Sequence, residues 1–486
     1  MYYRLNDNVA LRGWRLVPRA YYIYGVREAK GLDEEEFDLL LRCDGRHDLP
    51  PSPLLSSLEE RGLVRACGRG EGLTQWQEYR FCDNRYFPHL NWAITGKCNF
   101  NCRHCFMAAD NAPMMEEFSW EECMALLDQA EACGIQTVTL TGGEPMLHPR
   151  FMDLLGEIAR RRMWLEKLHT NGSFVTGETL DQIRALGLDP IINISFDCIG
   201  HHDWMRGCEG AEETARNAIA LCAEKGFRTR AQTCIHRGNV AALFDTAALL
   251  DRLGAEEIRV IRTSESPRWA ENGGELCLTI PEYYDALLEL ISRALDAGLK
   301  LRLNLWQFAA CHLRDGWYGA APVLGDRRQY RASIPACRGI RGNVYLSHTG
   351  ELVPCNRMAG FLAHRGIRMG SVKEAPLQEL LRRGAYLDTV CTTVQAVSDS
   401  NGDCRSCQYW TACQGGCRAI ALALTGEYLH YDPSKCIFFK GGYLQKLEDA
   451  VSGRLRCLDD LALEGMDRAG EADFQFPAHP ILSKRR

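Results

Sequence analysis

From residue 89 to about 300 the apolar positions switch repeatedly between a period of two and a period of three to four, the pattern of strands alternating with amphipathic helices. The stretch 89–95 predicts a strand. Ser119-Trp120-Glu121-Glu122 is a capping box, and Met124, Leu126, Leu127 and Ala130 form the apolar stripe of a helix ending at Gly134. A strand follows over 135–140. The rhythm continues with a helix near 150–161, strand 165–169, helix 178–186, strand 191–196 and helix 210–225, then strand 229–235, helix 240–253, strand 257–261 and a long helix over about 281–297. Such alternation predicts a parallel sheet, and about six units suit a partial (β/α)6 TIM-like barrel of the α/β class. In that architecture ligands collect at the strand C-termini.

Residues 1–85 follow another pattern, with short strand-like pieces at 3–5, 9–14 and 21–26. Two helices come next: Asp33-Glu34-Glu35-Glu36 places acids before Phe37, Leu39, Leu40 and Leu41, and Pro53 opens a second helix ending near Gly62. Leu63-Val64-Arg65 reads as a returning strand, and the turn-rich 68–72 breaks the chain. Three strands, then helices, closing on Leu58-Glu59-Glu60-Arg61-Gly62-Leu63-Val64, resemble the winged-helix peptide-recognition domain typified by the small chaperone of pyrroloquinoline quinone biosynthesis. That resemblance implies a leader peptide added as a strand to an exposed sheet edge. A DNA-binding winged helix or a simple cap stays open, since winged folds are widely reused; the acidic first helix argues against DNA. Beyond residue 305 the strand–helix rhythm stops. The expected divisions are therefore 1–85, 86–305, 306–457 and a tail, 458–486.

Composition narrows the setting. With 486 residues, 46% of them hydrophobic, and a net charge of −6, the chain can build full cores and has no basic excess for nucleic acid. No apolar run approaches the ~20 residues of a membrane span, and the start lacks a secretory pattern, so a cytoplasmic location is expected. The 23 cysteines then point to metal rather than disulfides.

Three of these thiols, Cys98, Cys102 and Cys105, are spaced Cys-x3-Cys-x2-Cys after the first barrel strand. Alone they allow an iron or zinc centre with one open position, a zinc knuckle lacking a ligand, or core cysteines. Gly142-Gly143-Glu144-Pro145 follows the second strand, Asn171 the third, and Ser195 and Asp197 the fourth, so one face of the barrel gathers them all. The three-cysteine loop followed by the glycine-glycine-glutamate-proline turn resembles the radical S-adenosylmethionine superfamily over roughly residues 90–305. The resemblance implies that Cys98, Cys102 and Cys105 hold a 4Fe-4S cluster whose fourth iron chelates the methionine end of S-adenosylmethionine, and that cluster reduction yields a 5'-deoxyadenosyl radical. By the same likeness Gly142, Gly143 and Glu144 bind the methionine end, and Ser195 and Arg206 hold ribose or carboxylate. His104, where the family usually has an aromatic, then lies near the adenine.

A second grouping runs Cys337, Cys355, Cys404, Cys407, Cys413, Cys417 and Cys436. The Cys404–Cys407 pair alone would suit a zinc ribbon. The full order resembles the twin-cluster C-terminal extension, the SPASM domain, of maturases of subtilosin-like peptides, pyrroloquinoline quinone, anaerobic sulfatases and mycofactocin. It implies one auxiliary 4Fe-4S cluster on Cys404, Cys407, Cys413 and Cys436, and another on Cys337, Cys355 and Cys417, making three clusters in all. The second lacks a ligand, which Cys311, Cys391 or Cys457 could supply; otherwise its open iron could take a substrate thiolate. Asn356 stands where anaerobic sulfatase maturases carry an aspartate proposed as base, a departure that weakens that assignment. Cys43, Cys123, Cys133, Cys222 and Cys277 read as core. The expected activity is oxidation of a ribosomally made precursor peptide bound through its leader, with a thioether as favoured product and flavodoxin or ferredoxin as reductant. Rival outcomes are carbon–carbon coupling, decarboxylation, haem side-chain oxidation, or a non-catalytic electron-transfer or peptide-carrier protein.

Overall fold

Seven strands build the N-terminal module: β1 (Tyr2–Leu5), β2 (Val9–Trp14), β3 (Ala20–Ile23), β4 (Lys30–Gly31), β5 (Asp44–Asp48), β6 (Val64–Cys67) and β7 (Arg80–Cys82). The computed structural model describes residues 1–108, 111–263, 266–320, 335–337 and 342–458, so the expected tail 458–486 lies outside the described residues save for Leu458. The three early strands do not share one sheet. β1 lies between β5 and β6, whereas β2 and β3 join β4 and β7 in the order β4-β3-β2-β7. The sequence Asp44-Gly45-Arg46-His47-Asp48 has no apolar alternation, which is why β5 is not announced by its pattern. The helices Glu34–Arg42 and Pro53–Glu60 form as expected: Asp33 caps the first by accepting from the Glu36 amide at 2.8 Å, and Ser52 caps the second ahead of a proline in its first turn.

The barrel strands are β8 (His89–Ala93), β9 (Thr137–Thr141), β10 (Trp164–Thr170), β11 (Ile191–Ser195), β12 (Thr229–Ile235) and β13 (Glu257–Arg262). These are the six expected, in sequential order and parallel throughout. A seventh, β14 (Arg302–Leu305), adds parallel to β13. The cysteine-rich region then extends both edges of the same sheet. β15 (Ala309–His312), β16 (Trp317–Ala320) and β19 (Arg456–Cys457) continue beyond β14, while β17 (Asn343–Leu346) pairs parallel with β8 and carries β18 (Leu352–Val353). Helices pack outside, burying apolar stripes such as Phe151, Leu154, Leu155 and Ile158, each of which contributes roughly 1.5–3 kcal/mol of transfer free energy. The helix expected over 240–253 begins as a 3-10 turn, Val240–Ala242, and becomes α-helical only over Leu243–Arg252. Among the described residues no helix is long and apolar enough to cross a membrane.

The N-terminal module is docked at the end of the barrel where the strands begin. Trp14 Nε1 and Asn84 Nδ2 both donate to the Cys133 carbonyl, at 3.2 and 2.7 Å. Gly134 makes this approach possible: its φ is +75°, and a Cβ there would lie 2.5 Å from Trp14 Nε1.

Candidate active site

Side chains alternate across a strand, so every second barrel residue faces the lumen. In most closed parallel barrels those positions are branched aliphatics that fill the interior. Here they are Asn91, Thr139, His169, Asn193, Gln232, Arg259 and their like, and they surround an open cavity of about 1080 Å3. None of these except the strand ends was singled out from sequence, although the polar–apolar alternation in Thr229-Arg230-Ala231-Gln232-Thr233 and Glu257-Ile258-Arg259-Val260 is a readable signal.

Cys98, Cys102 and Cys105 lie on the wall of this cavity together with His104, Gly142, Gly143, Ser195 and Arg206. Their loop is held by main chain from two sides. Gly143 N donates to Thr95 O and Glu144 N to Lys97 O, both at 2.8 Å, and on the other side Asn101 N donates to Arg206 O at 3.1 Å and Arg103 N to Met205 O at 2.9 Å. The glycines serve this contact: a Cβ on Gly143 would stand 2.3 Å from the Gly96 and Lys97 carbonyls, and one on Gly207 2.6 Å from Asn101 O. Glu144 is buried behind the wall. Its oxygens accept from Thr170 Oγ1 at 3.0 Å, the Asn171 amide at 2.7 Å and the Met146 amide at 3.2 Å, so the carboxylate ties the loop after β10 to the turn rather than facing the cavity. Burial pushes its pKa up to about 7. Asn171 in turn donates to Asn99 Oδ1 at 2.8 Å and reaches Cys98 Sγ at 3.9 Å.

Asp197 organises the opposite side of the loop. Burial opposes its ionisation, yet Arg206, His104 and His202 outweigh that and hold the carboxyl well below the usual carboxylate range. The Arg206 guanidinium lies 2.8 Å from Asp197 Oδ2 and donates to Cys102 Sγ at 3.7 Å. Arg206 is thereby fixed between a carboxylate and a thiol. His104 is buried beside Asp197 at 4.0 Å, and desolvation lowers its pKa to about 4, so the ring is neutral at pH 7. His104, Asp197 and Cys234 bring potential ligand atoms within 4.8 Å of one another, but the guanidinium already neutralises the carboxylate there.

The second cysteine set divides in space. The thiols of Cys337, Cys355 and Cys417 influence one another electrostatically and line the same cavity as Cys98. Cys404, Cys407, Cys413 and Cys436 form another neighbourhood, away from that wall. The three cysteines suggested as an additional ligand lie elsewhere: Cys311 is fully buried in β15, Cys391 accepts from Arg85 at 2.7 Å, and Cys457 pairs with Tyr318 in the sheet. Asn356, next to Cys355, donates to Asn91 Oδ1 at 3.0 Å and faces the lumen. Lys435, buried beside Asp432 and donating to Gln307 O at 2.5 Å, was not anticipated; desolvation lowers its pKa to about 8. Cys43, Cys123, Cys133 and Cys222 are buried as expected, while Cys277 is half-buried and donates to Thr263 O at 3.0 Å. Desolvation pushes the Cys98 thiol on the cavity wall up to about 12, so it resists ionisation unless a metal replaces the proton, and soft donors grouped on that wall fit an iron–sulfur centre.

A parallel barrel with a polar lumen, and with a cysteine loop and a glycine turn meeting at the strand ends, is the framework of an iron–sulfur enzyme. Residues 92–250 match the Radical SAM superfamily and residues 337–408 the SPASM iron-sulfur cluster-binding domain. The chain is a radical SAM superfamily enzyme with a SPASM domain, and it binds S-adenosylmethionine and iron–sulfur clusters. It is 27% identical over 347 residues to an AdoMet-dependent heme synthase of Oleidesulfovibrio alaskensis, covering 71% of this chain and 86% of that protein. It is also 27% identical over 363 residues to the mycofactocin maturase MftC of Mycobacterium ulcerans, covering 72% and 87%. In fold it is similar to Streptococcus suis SuiB, solved with its precursor peptide SuiA, at a TM-score of 0.63 and 14% identity over 88% of this chain and 98% of that one.

Proposed function

We propose that the protein is a peptide maturase that oxidatively modifies a ribosomally synthesised precursor, with a thioether cross-link as the favoured product. The observation that carries this reading is the shared cavity wall: Cys98, Cys102 and Cys105 face the same space as Cys337, Cys355 and Cys417. In this reading the two sets hold the first cluster and a three-cysteine auxiliary cluster, and Cys404, Cys407, Cys413 and Cys436 hold a third. When loaded, the first centre supplies hydrogen-atom abstraction by a 5'-deoxyadenosyl radical. Gly142 and Gly143 shape the methionine-end site, Arg206 and Ser195 border it, and Glu144 holds the turn. The polar lumen receives the substrate segment, which on entry displaces water from the reacting centre. Residues 1–85 are the leader-binding module; the fold of SuiB, solved with its precursor peptide, supports that assignment.

Anaerobic reconstituted enzyme with reductant, S-adenosylmethionine and the precursor encoded beside its gene is expected to form 5'-deoxyadenosine. The peptide should lose two hydrogens per cross-link, and its cysteine should lose reactivity toward alkylation. An unaltered peptide mass with full cysteine alkylation would remove the thioether outcome. Cys98→Ala is expected to abolish deoxyadenosine formation, and unchanged formation in that variant would take Cys98 out of the first cluster. A second reading, oxidation of a haem precursor, is favoured by the heme synthase relatives and predicts consumption of an iron porphyrin with no peptide present.

A further inference from the structure

Among the described residues, the charged side chains on the cavity wall are cationic with a single exception, Glu257. Most of these cations are already answered. Lys167 lies 2.6 Å from Glu166, Arg206 2.8 Å from Asp197, and Arg230 3.6 Å from Glu257. Glu257 also accepts from Asn304 at 3.0 Å. Arg357 lies beside the Cys355 and Cys417 thiols. Arg259 differs. Its guanidinium has neither a hydrogen bond nor an ion pair among the described residues, and its Nε is buried without a partner. It is in register between Gln232 on β12 and Asn304 on β14, three residues before the end of β13. That is roughly 10 Å below the strand ends that carry the cysteine loop.

A half-buried cation with no ion-pair partner of its own, its nearest carboxylate Glu257 being shared with Arg230 and Asn304, is costly to desolvate, and a ligand carboxylate that pairs with it regains part of that cost as binding energy. We propose that Arg259 is the receptor for an acidic side chain of the substrate peptide, drawn into the lumen so that a neighbouring residue is held at the rim where hydrogen abstraction occurs. This rests on the maturase reading and adds to it a substrate class, a peptide with Glu or Asp at the anchoring position. The depth of Arg259 separates this role from that of a rim group facing the carboxylate of S-adenosylmethionine.

The test uses unreduced holoenzyme saturated with S-adenosylmethionine, titrated with N-acetylglutamate N-methylamide and with the isosteric glutamine compound. The glutamate probe is expected to bind about tenfold or more tightly than its neutral twin, the range of a charge-assisted hydrogen bond. Arg259→Gln should erase that preference and Arg259→Lys retain part of it. If Arg259→Gln does not fold, the probe pair on wild type and Arg259→Lys still decides. Equal binding of the two probes to wild type overturns the proposal, as does a preference that survives in Arg259→Gln. Loss of S-adenosylmethionine binding in Arg259→Gln, without a glutamate preference in wild type, assigns the cation to the cofactor and overturns it. Arg259-dependent binding of iron coproporphyrin with no binding of either amino-acid probe overturns it in favour of a tetrapyrrole. A glutamate preference in an enzyme that changes no peptide mass supports the receptor and overturns the maturase reading alone.

Discussion

Glu144 and Asp197 are both fully buried carboxylates beneath the strand ends, and their surroundings drive them in opposite directions. Asp197 is surrounded by cationic and imidazole groups and stays ionised. Asp197→Asn would leave the Arg206 guanidinium buried without its counter-charge, a change expected to cost about 3–5 kcal/mol in a urea titration of the apo-protein. Glu144 has only neutral donors around it, so burial wins and its pKa rises from 4.5 to about 7. The folded chain therefore holds a proton that the unfolded chain releases. For an acid with a raised folded pKa, that contribution is intact below about 4.5 and is lost as pH rises to about 7. Between pH 5 and pH 8 the apo wild type should lose about 3 kcal/mol relative to Glu144→Gln. The glutamine can still accept from the Asn171 amide. Parallel pH profiles of the two proteins would place the Glu144 pKa in the ordinary range.

At the scale of elements, the strand–turn pairs were legible where two independent signals coincided. The six strands β8 to β13 showed apolar residues at period two with Gly, Pro or Asn beyond them, and the spacing marked both cysteine groups. Arg302-Leu303-Asn304-Leu305 was too short and too polar to stand out as β14, and β5 carries no apolar alternation. The lumen was missed for a different reason. Polar residues on a strand are ordinarily assigned to solvent, and only the curling of the sheet into a partial barrel turns Asn193, Gln232 and Arg259 inward. The function of the glycine turn was half legible: Gly142 and Gly143 do border the cavity, but their lack of Cβ is demanded by the backbone of residues 95–97. Gly143→Ala is therefore expected to act through the cysteine loop. The overpacking should cost about 1–3 kcal/mol, and reconstituted protein should lose iron at the first centre and with it deoxyadenosine formation. Full iron content with lost activity would instead locate the glycine requirement at the bound S-adenosylmethionine.

For the whole molecule, the two flanking regions close the barrel at opposite ends. The C-terminal region covers the end that carries the cysteine loop: Gly360 N donates to Phe106 O at 2.9 Å, and a Cβ on Gly360 would stand 2.5 Å from Ala108 O. The N-terminal module covers the other end, and Arg27 from it reaches the lumen, donating to Asn343. Removing residues 1–85 would thus open the barrel floor as well as discard the proposed leader-binding module, so loss of turnover in such a deletion does not isolate leader recognition. Docking depends heavily on Trp14, which is fully buried, packs edge-on against Tyr86 at 4.9 Å and bonds to Cys133 O. Trp14→Ala is expected to cost about 3–5 kcal/mol. Because Trp14 packs within the module's own cluster and bonds from there to the barrel, the loss should be local: amide hydrogen exchange should accelerate in β1 to β7 while β8 to β13 keep their protection. Faster exchange spread evenly over the barrel strands would mean that the module and the barrel unfold as one unit, and that the floor is part of the barrel's own core.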